Sequence, residues 1–486
     1  MKIKRAFVLL ITVICISHIS SGCTAEEAVE RVNVPDILIP HAISAEGQPV
    51  FDTPNLYVND YSNALHAIFM IAGNSRSSEY GHENYRPELY PDLMNQGAEN
   101  WLNLMHITDH FFNKRGRFVN RYLEDASGYV SSEELDLSIY PHLVYAYHMH
   151  HRGDRFDDPV LFERLSRETT HYITMPGIFL LSERFDEGRF SHEDSSVDHK
   201  SMAYGLAGIH GHGYAWIVWA KPEGEDNMGL ITEDALEAWL DFSIDDMLQT
   251  YRLIGSVLDE AWVEDSSTYD FGDGTTWYLD AVGAMIRGKK VMYDALYMFG
   301  NDSDKELART TFERAADMFE SVADLIRPWG LPNQIEFTPD GSVAASVEVN
   351  LYDWYQFLNH MGGGFSFYRE REGTSRFITR YRANLAPLFS RIYDNALLGA
   401  LEYHFNEKNQ LVNVVSYEDG SILDDRLTVS TLGMFITTAG NIYTGGEAFA
   451  RADEWDNVSP AVSERSRFLY DVKFDHIELV EKLLGL

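Results

Sequence analysis

The sequence predicts an all-α fold of about a dozen helices, with short β-hairpins between some of them. Apolar residues recur at the 3.6-residue spacing of an amphipathic helix in one segment after another. Residues that punctuate helices lie at segment ends, including Pro159 at a start and Gly153 and Gly300 just past two ends. The predicted helices are roughly 61–72, 96–113, 133–152, 159–174, 197–219, 232–262, 276–299, 303–327, 347–361, 376–405, 425–442 and 464–484.

Three segments are β-like rather than helical. They lie at 117–122, 335–345 and 411–417, with turn sequences at 339–341 and 419–420. Segments this short and scattered do not form a sheet domain, so we expect them to connect helices as hairpins. No strict repeat or second linker divides the chain, which favours one large domain.

The stretch from Trp101 to His151 contains a helix, the strand-like residues 116–119, a turn at Gly128 and a helix rich in Tyr and His. Together with the succession of amphipathic helices, this order resembles the six-hairpin or (α/α)6 toroids. That class includes many secreted glycoside hydrolases, sugar epimerases and the helical part of several polysaccharide lyases. The resemblance implies a ring of helix hairpins that acts on a carbohydrate, and it rests on architecture rather than on a diagnostic motif. A superhelical stack of helix pairs is the competing architecture.

The first 22 residues have the order of a secretion signal: a basic head, an apolar run over 6–16 and small residues at the end. The apolar run is too short for a permanent membrane helix. The tripeptide that ends in Cys23 resembles the bacterial lipobox, although Ser20 stands where an aliphatic residue is usual. This resemblance implies acylation of Cys23 and, because Thr24 follows it rather than Asp, attachment to the outer membrane or cell surface. Secretion without a lipid is the alternative.

Three segments are therefore expected: a signal peptide over 1–22, a lipid-anchored spacer over 23–60 and a single helical toroid domain over 61–486. The spacer is predicted because four prolines fall between residues 35 and 54 without a sustained apolar period.

Composition excludes several classes of chemistry. The only cysteines are Cys15, within the signal, and Cys23, so the mature domain has no disulfide and no thiolates for zinc, an iron–sulfur cluster or covalent haem. The formal net charge of −36 repels nucleic acid and anionic lipid. Motifs for nucleotide hydrolysis, dinucleotide binding, an α/β-hydrolase nucleophile and zinc-dependent proteolysis are absent. We therefore expect no cofactor, no metal, no nucleic-acid partner and no membrane contact beyond the lipid anchor.

A glycine-flanked histidine pair is the first candidate site. His210 and His212 follow Tyr204 on a predicted helix and precede Tyr214 and Trp216. Histidine titrates near neutrality and tyrosine can relay a proton, so Tyr204 and His210 are candidate catalytic residues, with the other three as substrate contacts. The neighbouring glycines predict an accessible helix end. A buried, hydrogen-bonded histidine pair and a His-x-His metal site lacking an identified third ligand are the other interpretations.

Aromatic-flanked carboxylates form the second candidate site. Asp270 and Asp273 lie in a glycine-containing loop before a predicted helix, and Asp353 lies on another helix. Glycoside hydrolysis needs a carboxylic acid and a second carboxylate, which a loop aspartate and Asp353 would supply. A solvated turn that caps the following helix is the alternative for the loop. Tyr and Trp can stack on the apolar faces of sugars, and the candidates for this role are Trp277, Tyr352, Trp354 and Tyr355.

Three functions stay open from the sequence. They are hydrolysis of an extracellular glycan by paired carboxylates, lyase or epimerase chemistry through His210 and a tyrosine, and glycan binding by a non-catalytic lipoprotein. Hydrolysis of a neutral glycan ranks first, because the acidic surface would slow the capture of a polyanion. Loops at the helix ends build the cleft of a toroid, so we expect residues from 198–216, 270–280 and 352–355 to converge on one oligosaccharide or polysaccharide.

Replacing Cys23 by Ser removes the thiol that the lipobox resemblance marks for acylation. We expect wild-type protein in the membrane fraction with an acylated N-terminus, and the Cys23→Ser variant in the soluble fraction. Fractionation followed by mass spectrometry of the mature N-terminus measures both. Cys15→Ser is the control, because residue 15 is removed with the signal. Unacylated wild-type protein that fractionates like the variant contradicts the anchor.

Overall fold

A computed structural model describes residues 41–44, 48–50, 56–57, 59–60, 63, 119–124, 130–134, 137–141, 177–210, 220–221, 231–232, 237, 242–366, 392, 399–400, 402–408 and 410–438. The predicted signal peptide and Cys23 lie outside the described residues. So do the predicted helices at 96–113, 159–174 and 464–484.

Local chemistry sets the starts of several helices. The longer helices of the described residues are α1 (His199–Gly208), α2 (Ile244–Ala261), α3 (Leu279–Phe299), α4 (Asp302–Ser321), α5 (Leu351–Ser366) and α6 (429–438). The side chains of Asp198, Ser243 and Asn301 cap α1, α2 and α4 by accepting hydrogen bonds from first-turn backbone N–H groups. Shorter helical segments lie at 59–60, 137–141, Leu180–Arg184, Glu264–Ser266 and Ala323–Leu325.

The strands are short. They are β1 (Ala42–Ile43), β2 (Pro49–Val50), β3 (Leu56–Tyr57), β4 (Val119–Glu124), β5 (Val130–Glu134), β6 (Phe185–Asp186), β7 (Arg189–Phe190), β8 (Ala220–Lys221), β9 (Ile231–Thr232), β10 (Trp262–Val263), β11 (Thr268–Tyr269), β12 (Thr276–Tyr278), β13 (Gln334–Thr338), β14 (Gly341–Ala344), β15 (Glu348–Asn350), β16 (Val414–Ser416), β17 (Ile422–Asp424) and β18 (Leu427–Thr428). Strands β6 and β7, β8 and β9, and β10 and β11 form two-stranded sheets, and the rest form three-stranded sheets. The predicted β-like segments correspond to β4, to β13 with β14, and to β16.

The three-stranded sheets share one plan. In each, a strand that leads into a helix pairs antiparallel with a hairpin that precedes another helix. Thus β3 pairs with the β4–β5 hairpin, β12 with β13–β14, and β15 with β16–β17. The last strand, β18, pairs with the first hairpin, β1–β2, with Ala42 opposite Thr428 and Ile43 opposite Leu427. This pairing brings the last of the described helices beside the first, and helix contacts from 137–141 to α1 and from α1 to α3 continue the arrangement where no strands pair. The arrangement is therefore a ring rather than an open stack.

Six helices of the described part of the chain lie at equivalent points of this ring, and their first described residues are 59, 137, 199, 279, 351 and 429. Small residues let neighbouring helices approach closely. A Cβ added at Gly288 of α3 would meet Leu206 of α1, and one added at Gly433 of α6 would meet the backbone of Asn63 in the first helix. The fold is the (α/α)6 toroid, so the fold class predicted from the sequence is confirmed and the superhelical stack is excluded.

Helix α3 shows which residues face the centre of the ring. Gly283 lies against His360 of α5, Gly288 lies against Leu206 of α1, and Lys289 lies on the side packed against α4. Since successive residues are about 100° apart around a helix, Asp280 and Arg287 project from the remaining face, between the contacts with α1 and α5. Both side chains are buried.

The ring includes part of the segment that the sequence assigns to a spacer. Strands β1, β2 and β3 all fall within 23–60, and a helix begins at residue 59. Pairing with β18 and β4 satisfies backbone groups that a free spacer would leave to water. The folded ring therefore includes residues 42–43, 49–50, 56–57 and 59–60 of the predicted spacer. No helix among the described residues is long and apolar enough to cross a lipid bilayer.

Gly288 tests the contact between α1 and α3. A Cβ at this position would lie 2.6 Å from Leu206 Cγ and 2.9 Å from the backbone nitrogen of Ala207, so Gly288→Ala forces the helices apart. We expect the free energy of unfolding to fall by about 1–3 kcal/mol, despite the better helix propensity of alanine. Gly255→Ala is the control, because its Cβ would meet the movable side chain of Leu307. Denaturant unfolding measures the stability of both variants. A Gly288→Ala variant as stable as the wild type would contradict the close contact between α1 and α3.

Candidate functional site

We call the six helices whose first described residues are 59, 137, 199, 279, 351 and 429 the inner helices. The second residue of each inner helix lies at the same end of the ring. In five of the six helices a strand ends within three residues of the helix start, so the strands set a shared register. All six positions carry a polar side chain, and we call this end the mouth of the ring. The six residues are Asp60, Ser138, Lys200, Asp280, Tyr352 and Ser430.

Asp280 is held as a hydrogen-bond acceptor at the mouth. The hydroxyl of Tyr204 donates to its Oδ2 (2.5 Å), and the backbone N–H of Ala281 donates to its Oδ1 (2.9 Å). Tyr204 belongs to α1, so the first contact joins two neighbouring inner helices. Hydrogen bonds donated to a carboxylate favour its ionised form. Asp280 is therefore arranged to carry negative charge.

Asp353, in the first turn of α5, is a second carboxyl group at the mouth, and its surroundings favour the protonated form. Burial and the negative charge of Asp280 raise the pKa of Asp353 well above its ordinary value, and the positive charge of Lys200 opposes this shift. The side chain keeps part of its surface accessible although protein surrounds it, as a group at the floor of a cleft does. A carboxyl group whose pKa is raised thus lies beside one that accepts two hydrogen bonds.

Helix α1 adds a lysine and a histidine to this region. Lys200 Nζ lies 3.5 Å from the ring centroid of Tyr278, a cation–π contact. Asp273 accepts two hydrogen bonds from His199, one from Nδ1 of the ring and one from the backbone N–H. The distance from the backbone nitrogen to Asp273 Oδ2 is 3.1 Å. The His199 ring also packs against Trp277, with the ring centroids 4.9 Å apart. These contacts clamp the loop at 270–274 to the start of α1.

The structure pairs Asp353 with Asp280 rather than with either predicted loop aspartate. Asp270 is exposed, and its Oδ1 accepts hydrogen bonds from the backbone N–H groups of Gly272 (2.7 Å) and Gly274 (3.0 Å). Asp270 therefore stabilises a turn, and a solvated turn is the alternative that the sequence allows for this loop. Asp273 is engaged with His199. In the described part of the chain, no interaction links either loop aspartate to Asp353.

Most of the predicted sugar-stacking residues that the structure describes belong to the core. Trp277 and Trp354 are 0% exposed and Tyr355 is 2% exposed. A fully buried ring presents no face to a sugar, so this part of the prediction is corrected. Tyr352 is partly exposed at the mouth. The other candidates, His212, Tyr214 and Trp216, lie outside the described residues.

His210 is fully buried rather than placed at an accessible helix end. Burial lowers the pKa of His210 well below its ordinary value, and the charges of Arg287 and Lys290 add to the shift. Phe190 and Leu180 occupy the space beside the glycines of α1, so those glycines serve helix packing rather than ligand access. His210 lies just past the end of α1, at the opposite end of this helix from Lys200, and the helix is about 15 Å long. No three His, Cys, Asp or Glu side chains among the described residues are arranged to hold a metal ion.

Sequence reasoning missed Asp280 and Lys200. Asp280 looks like an ordinary acidic residue in a first turn, where the helix dipole favours negative charge. Lys200 carried a usable signal, because a cation in the first turn of a helix opposes the dipole and needs another reason to be there. Its position beside Tyr278 and Asp353 supplies that reason.

No family model and no curated protein matches the chain. Among solved structures, a D-mannose isomerase aligns at 11% identity and a TM-score of 0.44, over 83% of this chain and 93% of that one. A cellobiose 2-epimerase from Spirochaeta thermophila aligns at 13% identity and a TM-score of 0.43, over 83% and 89%. An endo-β-1,2-glucanase from Talaromyces funiculosus, in complex with sophorose, aligns at 12% identity and a TM-score of 0.38, over 94% and 87%. Similarity of this degree transfers no activity and no residue role.

Asp353→Asn tests the proton affinity of the buried carboxyl group. A carboxyl whose folded-state pKa is raised contributes stability that is full below its unfolded pKa of about 4 and is lost as the pH rises through the folded pKa. The neutral amide has no such loss, so we expect the variant to be more stable than the wild type at neutral pH and similar to it below about pH 4. Thermal unfolding across this range measures the difference. Asp245→Asn, at an exposed carboxylate of α2, is the control. A pH-independent difference at position 353 would contradict the raised pKa.

Proposed function

We propose that this chain is a carbohydrate-active enzyme, a glycoside hydrolase that cleaves an oligosaccharide or polysaccharide at the mouth of the ring. The observation that carries the proposal is the pairing of Asp353, whose pKa is raised, with Asp280, which accepts hydrogen bonds from Tyr204 and Ala281. Glycoside hydrolysis requires this difference between two carboxyl groups.

Each residue of the pair has one task in the proposed reaction. Asp353 gives its proton to the glycosidic oxygen as the bond from that oxygen to the anomeric carbon breaks, and Lys200 stabilises the carboxylate that forms. Asp280 either accepts a proton from the water that attacks the anomeric carbon or attacks that carbon itself. Tyr204 and the backbone N–H of Ala281 orient Asp280 for this step.

Charge and aromatic content at the mouth favour a neutral glycan. Asp60 and Asp280 add local negative charge to a chain whose formal net charge is −36, which disfavours a polyanion. Tyr278 and Tyr352 are partly exposed there and offer faces on which a sugar ring can stack. The toroid class resembled by the sequence supports a carbohydrate substrate in general, by analogy of fold.

Epimerase or lyase chemistry is a second candidate, favoured by one observation. The hydroxyl of Tyr204 is hydrogen-bonded to Asp280, and a tyrosine paired with a carboxylate can remove a proton from carbon. The burial of His210 weakens the version of this mechanism that uses a histidine.

Export and a lipid on Cys23 are part of the proposal. They would hold the ring at the outer membrane or cell surface of a bacterium, where polymeric glycans are accessible. The signal-like leader and the lipobox resemblance support them.

The test uses the Cys23→Ser form with neutral oligosaccharides (cello-, xylo- and β-1,2-gluco-oligosaccharides) and acidic ones (oligogalacturonides). New reducing ends identify hydrolysis, ultraviolet absorbance of unsaturated uronates identifies a lyase, and a changed sugar without cleavage identifies an epimerase. Binding without any turnover would favour a glycan-binding lipoprotein.

Asp353→Asn removes the proposed proton donor without removing bulk. We expect kcat on the cleaved oligosaccharide to fall by about 10²- to 10⁴-fold, as is typical for a general acid. Since this variant is expected to be at least as stable as the wild type at neutral pH, a lower rate does not reflect unfolding. Steady-state kinetics compares it with Asp245→Asn, which should keep the wild-type rate. Full activity of Asp353→Asn would remove the residue from the mechanism.

A further inference from the structure

Lys200 is held at the mouth by an aromatic ring rather than by a carboxylate. Its Nζ lies 3.5 Å from the ring centroid of Tyr278. Within the part of the chain that the structure describes, the side chain of Lys200 forms no ion pair and no hydrogen bond. A carboxylate partner would offset the positive charge of the ammonium group, whereas a ring face leaves that charge and the N–H groups available.

The Tyr278 ring is fixed by its own surroundings. Tyr278 ends strand β12 and pairs there with Gln334 of β13, which sets the position of its backbone. Its ring stacks on that of His199, with 16° between the two planes and 6.1 Å between the centroids. His199 is in turn held by Asp273, which accepts hydrogen bonds from both its ring and its backbone. The flexible lysine side chain therefore lies against a ring that the sheet and α1 both position.

The position of Lys200 matters because its charge acts on Asp353. Lys200 opposes the rise in the pKa of Asp353 that burial and Asp280 cause. The charges of Asp280 and Lys200 act from α3 and α1, Tyr204 of α1 is hydrogen-bonded to Asp280, and Tyr352 precedes Asp353 on its own helix. A lysine side chain is long and flexible, so an ammonium group without a contact would spend much of its time away from Asp353.

We propose that Tyr278 is a positioning residue of this site, whose ring face holds the Lys200 ammonium group beside Asp353. The inference rests on the proposed function, in which Asp353 is the proton donor. Tyr278 acts through Lys200 rather than on the reacting atoms, so its effect is on the proton affinity of the donor. The hydroxyl of Tyr278 makes no hydrogen bond to the described residues, so the ring itself has this role.

Two substitutions at position 278 test the role of the ring. Phenylalanine keeps a ring face for the ammonium group, whereas leucine is apolar and has none. A general acid must be protonated, so kcat falls as the pH rises through the pKa of Asp353 in the complex. Moving a positive charge away raises that pKa, so we expect Tyr278→Leu to shift the alkaline limb of the kcat profile to higher pH, by up to about one unit. Tyr278→Phe should keep the wild-type limb, and Lys200→Met should show the largest shift.

The profiles are measured with the neutral oligosaccharide that the wild type cleaves fastest, and thermal unfolding shows whether each variant folds. Tyr278→Met replaces the leucine variant if that variant does not fold. A raised KM of Tyr278→Leu with an unmoved alkaline limb would mean that the ring only stacks on the sugar. That result overturns the positioning role and leaves the proposed function standing. A shift in Tyr278→Phe as large as that in Tyr278→Leu also overturns it, because the ring face would then be irrelevant.

An infrared titration tests the same inference without turnover. The carbonyl band of protonated Asp353, assigned by its loss in Asp353→Asn, should disappear at higher pH in Tyr278→Leu than in the wild type or Tyr278→Phe. An unmoved band in Tyr278→Leu or in Lys200→Met overturns the inference. A wild type that cleaves none of the oligosaccharides overturns the proposed function, and the titration then still decides whether Tyr278 positions Lys200.

Discussion

The pairing of the last strand with the first is the constraint on which the rest of the structure depends. Ala42 and Ile43 lie opposite Thr428 and Leu427, and this short contact turns a row of helices into a ring. An open row would leave an apolar helix face uncovered at each end, whereas a ring covers both. The entropic cost of joining distant residues grows only with the logarithm of their separation, so a long chain tolerates this closure.

The mouth exists because the ring is closed. Asp60 comes from the first inner helix and Ser430 from the last, yet they share a hydrogen bond. The helices on both sides of the seam begin in register because strands end just before them. A fold that aligns six helix starts in this way gathers the second residue of each helix at one place, whatever their distance in the sequence.

Two electrostatic effects oppose each other at the mouth. The helix dipole favours a carboxylate in the first turn by about 0.3–1 kcal/mol. Full burial can raise a carboxyl pKa by about 3–5 units, which is a larger energy. Burial and the charge of Asp280 therefore prevail at Asp353, and its pKa rises. Asp280, by contrast, accepts hydrogen bonds from Tyr204 and from the first turn of its own helix, so the same residue type has different surroundings at a neighbouring position.

The sequence by itself determined the helical class and the starts of α3 and α4 to within about three residues, because periodicity and composition act locally. It also offered Asp353 as a candidate acid, which stays a prediction. It did not reveal β1, since a two-residue strand has no detectable period and depends on a partner far away in the chain. Only the tertiary structure decided which aspartate pairs with Asp353. Asp270, Asp273 and Asp280 all lie near the start of one helix, but the first points to solvent, the second to His199 and the third towards the ring axis. That difference follows from the packing of α3 between α1 and α5, which no local pattern encodes.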